Sequence, residues 1–392
     1  MTNGMKNLKR FVLLLAAIIF LSSSRGYKDL PGQNPSAVQI ILTSDAHYGT
    51  SRTFQGAKGV DAHVVNAAMI AKMNSLPDVS LPQDGGIKSG QKIGYVDYIF
   101  QTGDITNRME TSISAQPAAK SWAQFKTDYV DGITLKNKNN RKAELLAVPG
   151  NHDVSNALGY YTKMSPLSDV STLSGIYNLM LRPSVPRTIS TFNYAKDRVN
   201  YSRDIGGVHF CFLQMWPDSV VRIWLNKDLE KVPLATPVVL VAHDPPAAVN
   251  THFTNPNGTH SINETDKFIN VVDERFKSGK TIASAPIMEQ RAFTTFLKQH
   301  PNIKTYLHGH IHESKFYTYT GVDKDIQLNA VSSDSPMKGA TSGADETRVT
   351  FNFAILDPGT MTLTVRECLW NPEPSNSSAT VKWGKSVIIN LK

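Results

Sequence analysis

The sequence predicts an α/β protein, and three observations carry that prediction. Five apolar runs, Val38–Leu42, Tyr98–Gln101, Leu145–Val148, Val238–Val241 and Lys304–Leu307, have the length of buried strands. Each run ends where a polar group begins: Asp45-Ala46-His47, Gly103-Asp104, Gly150-Asn151-His152-Asp153, His243, and Leu307-His308-Gly309-His310-Ile311-His312. Stretches of helical period lie between the runs. In an open α/β sheet the carboxyl ends of the strands form the ligand crevice, so the five polar groups are expected to converge.

The elements follow in order. Asp61–Asn74 places Val64, Val65, Ala67, Ala68, Ile70, Ala71 and Met73 around a helical period and reads as a crossover helix. Pro77 to Gly94 is a Pro/Gly/Asp/Ser-rich surface loop. Thr111–Val130 reads as a second helix, with Trp122, Phe125 and Tyr129 on one face. Lys136–Lys142 is a basic, solvated turn. Residues 154–200 and 247–285 lack a clear period and read as insertions beside the cleft, suited to facing a substrate. Asn200–Ile205 and His209–Met215 flank Gly206-Gly207 as a hairpin. Val220–Leu229 and Ile287–Gln299 read as helices, with Trp224 in the core. Gln327–Val331, Arg348–Leu356, Met361–Leu369 and Val381–Leu391 read as antiparallel strands completing a second sheet.

Hydrophobic residues at 41% and charged residues at 19% describe a globular chain with a sizeable core. At the N-terminus, Lys6, Lys9 and Arg10 precede the apolar run Phe11–Leu21 and then Ser22-Ser23-Ser24, the order of a secretory signal peptide over residues 1–24. The apolar run is short for a membrane span, so the expectation is secreted or periplasmic protein without a transmembrane span after cleavage; an uncleaved anchor is the alternative. A single domain would then run from residue 27 to 392. The 41 Lys and Arg against 33 Asp and Glu give +8, and losing three of the 41 with the signal leaves +5. That mild excess suits anionic substrates and does not favour nucleic acid, which would need a clustered basic stripe. The two cysteines, Cys211 and Cys368, either form one bridge or stay free and buried. Sequons stand at Asn200, Asn257, Asn263 and Asn376.

The polar groups ask for metal. Along an extended strand, residues two apart point the same way, which would pair Asp45 with His47 and His310 with His312. Carboxylate oxygen and imidazole nitrogen suit Mn, Fe, Zn or Co, and no thiolate is offered. His63, His209, His252, His260 and His300 lie outside these groups and read as surface residues; His308 reads as structural, and Asp244 as a supporting or turn residue.

With all five stretches in place, the sequence resembles the calcineurin-like metallophosphoesterase superfamily, whose signature runs D-x-H, G-D-x-x-[D/N], G-N-H-[D/E], H and G-H-x-H. Here these are Asp45/His47, Gly103-Asp104-Ile105-Thr106-Asn107, Gly150-Asn151-His152-Asp153, His243 and Gly309-His310-Ile311-His312. The resemblance implies a four-layer α/β/β/α sandwich of two mixed β-sheets flanked by helices. It implies two divalent ions, one on Asp45, His47 and His312, the other on Asn151, His243 and His310, with Asp104 bridging. It places His152 near the leaving group, and Arg108 where the phosphoprotein phosphatases carry a phosphate-binding arginine. Asp153 is placed to orient His152. Purple acid phosphatases carry Gly and Tyr where this chain has His47 and Asn107. The implied activity is hydrolysis of phosphate mono- or diesters, in a small molecule or a lipid, by metal-activated hydroxide. The alternatives are a nuclease, a phospholipid or sphingomyelin-type phosphodiesterase, and a metal-binding scaffold without turnover.

Overall fold

Strand β1, Val38–Thr43, is buried along its whole length, as expected of a strand covered on both faces. In the computed structural model, which describes residues 36–107, 116–154, 170–193, 196–248 and 285–392, it leads a chain of alternating strands and helices. A small hairpin follows, β2 (Ser51–Phe54) and β3 (Ala57–Asp61), then α1 (Ala62–Ser75), β4 (Tyr98–Gln101), α2 (Ala118–Phe125), β5 (Glu144–Ala147) and the single-turn α3 (Asn151–Val154). Next come α4 (Ser171–Leu181), β6 (Tyr201–Ile205), β7 (Val208–Phe212), α5 (Ser219–Leu229), β8 (Val238–Val241) and α6 (Ala285–Gln299). The chain closes with β9 (Ile303–His308), β10 (Lys315–Tyr319), β11 (Leu328–Ser332), β12 (Thr350–Asp357), β13 (Thr362–Leu369) and β14 (Lys382–Asn390). The segment 1–24, residues 25–35, Arg108, His252, His260, most of 247–285 and the sequons at Asn257 and Asn263 lie outside the described residues. No helix among the described residues is long and apolar enough to cross a membrane.

Two six-stranded mixed sheets carry the fold, ordered β14-β13-β12-β1-β4-β5 and β10-β11-β9-β8-β7-β6. In the first, β1, β4 and β5 run parallel; in the second, β7, β8, β9 and β11 do. The five motif strands are therefore shared, three in one sheet and two in the other. The four C-terminal strands do not complete a single second sheet as the sequence suggested. β12 pairs antiparallel with β1, and β13 and β14 continue the first sheet, each antiparallel to the strand before it, while β11 joins the second, parallel to β9. Apolar alternation fixes which face of a strand is buried, not its neighbour, so the sequence pattern fitted either sheet.

Aromatic rings join the sheets. Phe100 of β4 meets Phe210 and Phe212 of β7 edge-on, with centroids 5.5 and 5.0 Å apart. The Tyr201 hydroxyl donates across to the Ala147 carbonyl at 2.9 Å. Each fully buried ring contributes roughly 2–3 kcal/mol relative to exposure. Helices flank the pair: Phe125 at the end of α2 packs on Tyr48 just beyond β1, and Phe293 of α6 packs on Tyr306 of β9. The helix predicted from Thr111 is described from Ala118 and continues as a π-helical turn, Lys126–Asp131. Part of the 154–200 insertion is the helix α4, whose apolar Leu173, Ile176 and Met180 are buried. The Lys136–Lys142 turn is exposed, Trp224 packs against the core, and both cysteines are buried and free.

His209 staples the edge hairpin β6–β7 to α5. Its Nδ1 lies 2.7 Å from Asp204 and its Nε2 2.9 Å from Asp228, and the Cys211 thiol approaches Asp228 as well. Burial alone would lower the ring's pKa, but the two carboxylates raise it above the ordinary 6.5. The raised folded-state value sets the sign: the staple is fully present below pH 6.5 and fades as pH climbs through that value. His209→Gln should therefore cost about 1 kcal/mol near pH ~5.5, and less as pH approaches ~9, in chemical denaturation series. A deficit independent of pH would show that the charged pairing contributes nothing.

Candidate metal centre

The site forms where β1, β4 and β5 of one sheet and β8 and β9 of the other end side by side. Strand alternation does not aim its side chains, because β1 stops at Thr43 and β9 at His308. Asp45, His47, Asp104, His310 and His312 instead each adopt left-handed backbone, with φ of 54°, 45°, 53°, 68° and 51°. Non-glycine residues rarely occupy that region, and strain of this kind gathers at functional sites. The loops over-determine it. Asp45 N donates to Gly103 O at 2.9 Å and His47 N to Asp104 O at 3.0 Å, while His310 N crosses to Asp45 Oδ2 at 2.9 Å. The motif glycines allow the close approach. A Cβ on Gly150 would sit 2.2 Å from Asp104 Oδ1, and one on Gly309 1.7 Å from Ser44 Oγ.

Two groups of donor atoms result, sharing Asp104. In the first, Asp45, His47, Asp104 and His312 bring their ligand atoms within 4.8 Å of one another. His47 Nε2 stands 3.1 Å from His312 Nε2 and 3.8 Å from Asp104 Oδ2. Asp45 Oδ1 lies 3.2 Å from His312 Nε2 yet accepts no hydrogen bond of good geometry among the described residues, though it is fully buried. In the second, Asp104, His243 and His310 converge, joined by Asn151, whose Oδ1 is 3.1 Å from His243 Nε2 and 3.0 Å from His310 Nδ1. Asp104 turns Oδ2 to the first group and Oδ1 to the second, 3.4 Å from His243 Nε2. These spacings match the edges of coordination polyhedra with bonds near ~2.0–2.2 Å.

His243 shows that the donor set fits a cation. Its Nδ1 lies 2.8 Å from the Thr102 carbonyl and must donate to it, so neutral His243 aims an Nε2 lone pair at the oxygens of Asn151 and Asp104. Acceptors facing one another repel unless positive charge sits between them. The same demand appears in the ring's basicity: burial opposes protonation, yet Asp104, with Asp45 and Asp244, holds His243 up to about 10. Asp45 and Asp104 stay well below the usual carboxylate range, because the surrounding imidazoles outweigh the cost of burial.

The remaining expected residues divide. His152 reaches the pocket with its Nε2 3.9 Å from Asp104 Oδ2, and burial holds its pKa well below 6.5. Its Nδ1 has no hydrogen-bond partner among the described residues. Asp153 does not orient it. Asp153 Oδ1 accepts from Thr106 N at 3.0 Å, and Oδ2 from Ile105 N at 3.1 Å and Gly150 N at 2.9 Å. It clamps the Asp104 loop to the Asn151 loop, because the helical turn from Asn151 carries neighbouring side chains in different directions. Burial and the nearby Asp104 push its carboxyl up to about 7. His308 is buried between the Gly309 carbonyl and the Tyr317 hydroxyl, a structural role. Two residues the sequence reading missed complete the rim: Ser335, whose Oγ donates to Asp45 O at 2.7 Å, and Lys338, whose Nζ donates to Asn107 Oδ1 at 2.7 Å. Their signal was the polar run Ser332–Lys338 after β11, hidden because β11 did not read as a parallel strand.

Removing the clamp should separate the two loops. Asp153→Ala leaves three backbone N–H groups unsatisfied and is expected to cost about 3 kcal/mol or more of stability, with weaker metal retention. Thermal melts and metal content check this, and a variant with wild-type values for both would remove the clamp from the account.

No curated protein matches the sequence significantly. Among solved structures, a candidate 5′-nucleotidase from Staphylococcus aureus, in complex with α-ketoglutarate, is 10% identical with a TM-score of 0.38; the match covers 91% of this chain and 54% of that one. The chain thus spans about half the length of that protein. The calcineurin-like phosphoesterase YfkN from Bacillus subtilis is 12% identical, with 91% of each chain covered and a TM-score of 0.30. The phosphopantetheinyl hydrolase of Mycobacterium tuberculosis is 13% identical, with 76% of this chain and 90% of that one covered and a TM-score of 0.31. Residues 38–314, which contain every candidate metal ligand described above, match the family model of calcineurin-like phosphoesterases, and the chain belongs to that family.

Proposed function

We propose that the protein hydrolyses phosphate esters at a pair of divalent cations. One is held by Asp45, His47 and His312, the other by Asn151, His243 and His310, with Asp104 between them. The observation that carries this reading is the shared carboxylate: Asp104 faces both donor groups with different oxygens. A carboxylate can join two cations and offset their repulsion, while the neutral Asn151 oxygen and the imidazoles add donors without adding charge. Bound there, such cations supply Lewis acidity toward phosphoryl oxygens and lower the pKa of water.

The chain's own groups supply the rest. His152 is the imidazole at the pocket outside both donor groups. Burial keeps it neutral at pH 7, so it carries one N–H suited to hydrogen-bond the departing ester oxygen as that oxygen gains charge. The strained loops hold these groups in position before substrate arrives.

Two measurements test the reading. Asp104→Asn, which keeps shape but halves the oxygen donors, should lower metal content and cut turnover of an aryl phosphate at least ~100-fold. Undiminished metal and activity would sink it. His152→Ala should keep the metal yet lose ~10²–10⁴ in kcat, more for alkyl than for aryl leaving groups, because only a poor leaving group needs the hydrogen bond. An equal loss on both would place His152 elsewhere in the reaction.

A further inference from the structure

The segment after β11 carries a cation to the metal centre. β11 runs parallel to β9, so its carboxyl end meets the same edge as the motif loops. Ser335 Oγ donates to Asp45 O at 2.7 Å and accepts from the backbone N–H of Met337 and Lys338 at 3.1 and 3.0 Å. From β2, buried Arg52 donates to Pro336 O at 2.6 Å and to Ser342 O at 2.5 Å. The turn is thus tied to the Asp45 loop on one side and to the β2–β3 hairpin on the other. It brings Lys338 Nζ within 2.7 Å of Asn107 Oδ1 and 3.3 Å of His47 Nδ1. Asn107 is itself fixed, its N–H donating to Tyr48 O at 2.9 Å, one residue beyond His47.

An amide oxygen positions an ammonium without cancelling its charge. When His47 Nε2 gives its lone pair to a cation, the ring proton sits on Nδ1, which can no longer accept from Lys338. The Asn107 oxygen still accepts from the ammonium and aims it. Lysine is a compact point charge suited to phosphate oxygens, and a fixed positive charge acts most strongly where phosphoryl oxygens gather charge.

We propose that the Lys338 ammonium, positioned by Asn107, binds a phosphoryl oxygen of the ester substrate and of product phosphate beside the metal pair. The proposal rests on the phosphoesterase reading above. It is tested on metal-loaded wild type, Lys338→Met, Lys338→Arg and Asn107→Ala, with metal content, calorimetric binding of inorganic phosphate, and kcat and KM on an aryl phosphate. Lys338→Met should keep wild-type metal content and weaken phosphate binding ~10- to 100-fold, with KM rising in step. Lys338→Arg should recover part of the loss, and Asn107→Ala should weaken phosphate by a smaller factor. Unchanged phosphate affinity in Lys338→Met overturns the assignment, as does loss of metal together with phosphate, which would make Lys338 a support of the His47 loop. Wild type that binds metal and cleaves the ester while Lys338→Met matches it overturns this proposal alone. Wild type that does neither overturns the phosphoesterase reading as well.

Discussion

Two carboxylates, Asp45 and Asp104, are buried where the two sheets meet, and keeping them charged there is the constraint that the surrounding structure answers. Moving an isolated carboxylate out of water costs several kcal/mol even after relaxation. Nothing apolar can offset that, so the neighbourhood is built from imidazoles, and their influence holds both acids well below the usual range. His243 carries the same logic one step further. Pinned to the Thr102 carbonyl through Nδ1, it turns Nε2 toward oxygens that repel it unless positive charge intervenes. A site so arranged is poised for cations.

Geometry is held by backbone rather than by side-chain packing. Five residues of the centre sit in left-handed conformation, a combined strain of several kcal/mol. Cross-loop bonds such as His310 N to Asp45 Oδ2 and the triple acceptance by Asp153 keep it in place. Conformational freedom at the ends of β1, β4 and β9 is thereby removed before any ligand binds.

Much of this was legible in the sequence. Short apolar runs ending in Asp, Asn or His gave the strands that deliver the centre, because burial on both faces leaves a hydrophobic signature and the carboxyl end of a parallel strand is where ligands gather. The same signal sits after β11, where Ser335 and Lys338 follow Ser332. It was lost because strand direction and sheet membership depend on long-range pairing that no local pattern encodes. The role of Asp153 was misread for a related reason: adjacency in sequence suggested that it touches His152, whereas the helical turn starting at Asn151 sends the two side chains apart. The hairpin β2–β3 and the edge strand β10 went unseen, since the short β2 and β3 offer only Phe54 and Val60 as large apolar side chains, and in β10 the adjacent rings of Phe316 and Tyr317 break the two-residue alternation.

Sharing the donors between sheets has a thermodynamic consequence. Asp45, His47, Asp104 and Asn151 follow strands of one sheet, and His243, His310 and His312 follow strands of the other. A cation held by donors from both ties the sheets together at this edge, while Phe100, Phe210 and Phe212 join them in the interior. An unfolded chain cannot assemble such a site, so binding there adds to stability by mass action, about 4 kcal/mol at a thousandfold excess over Kd. Loop strain and crowded acceptors, which cost stability in the bare protein, become the means by which fold and metal affinity are coupled.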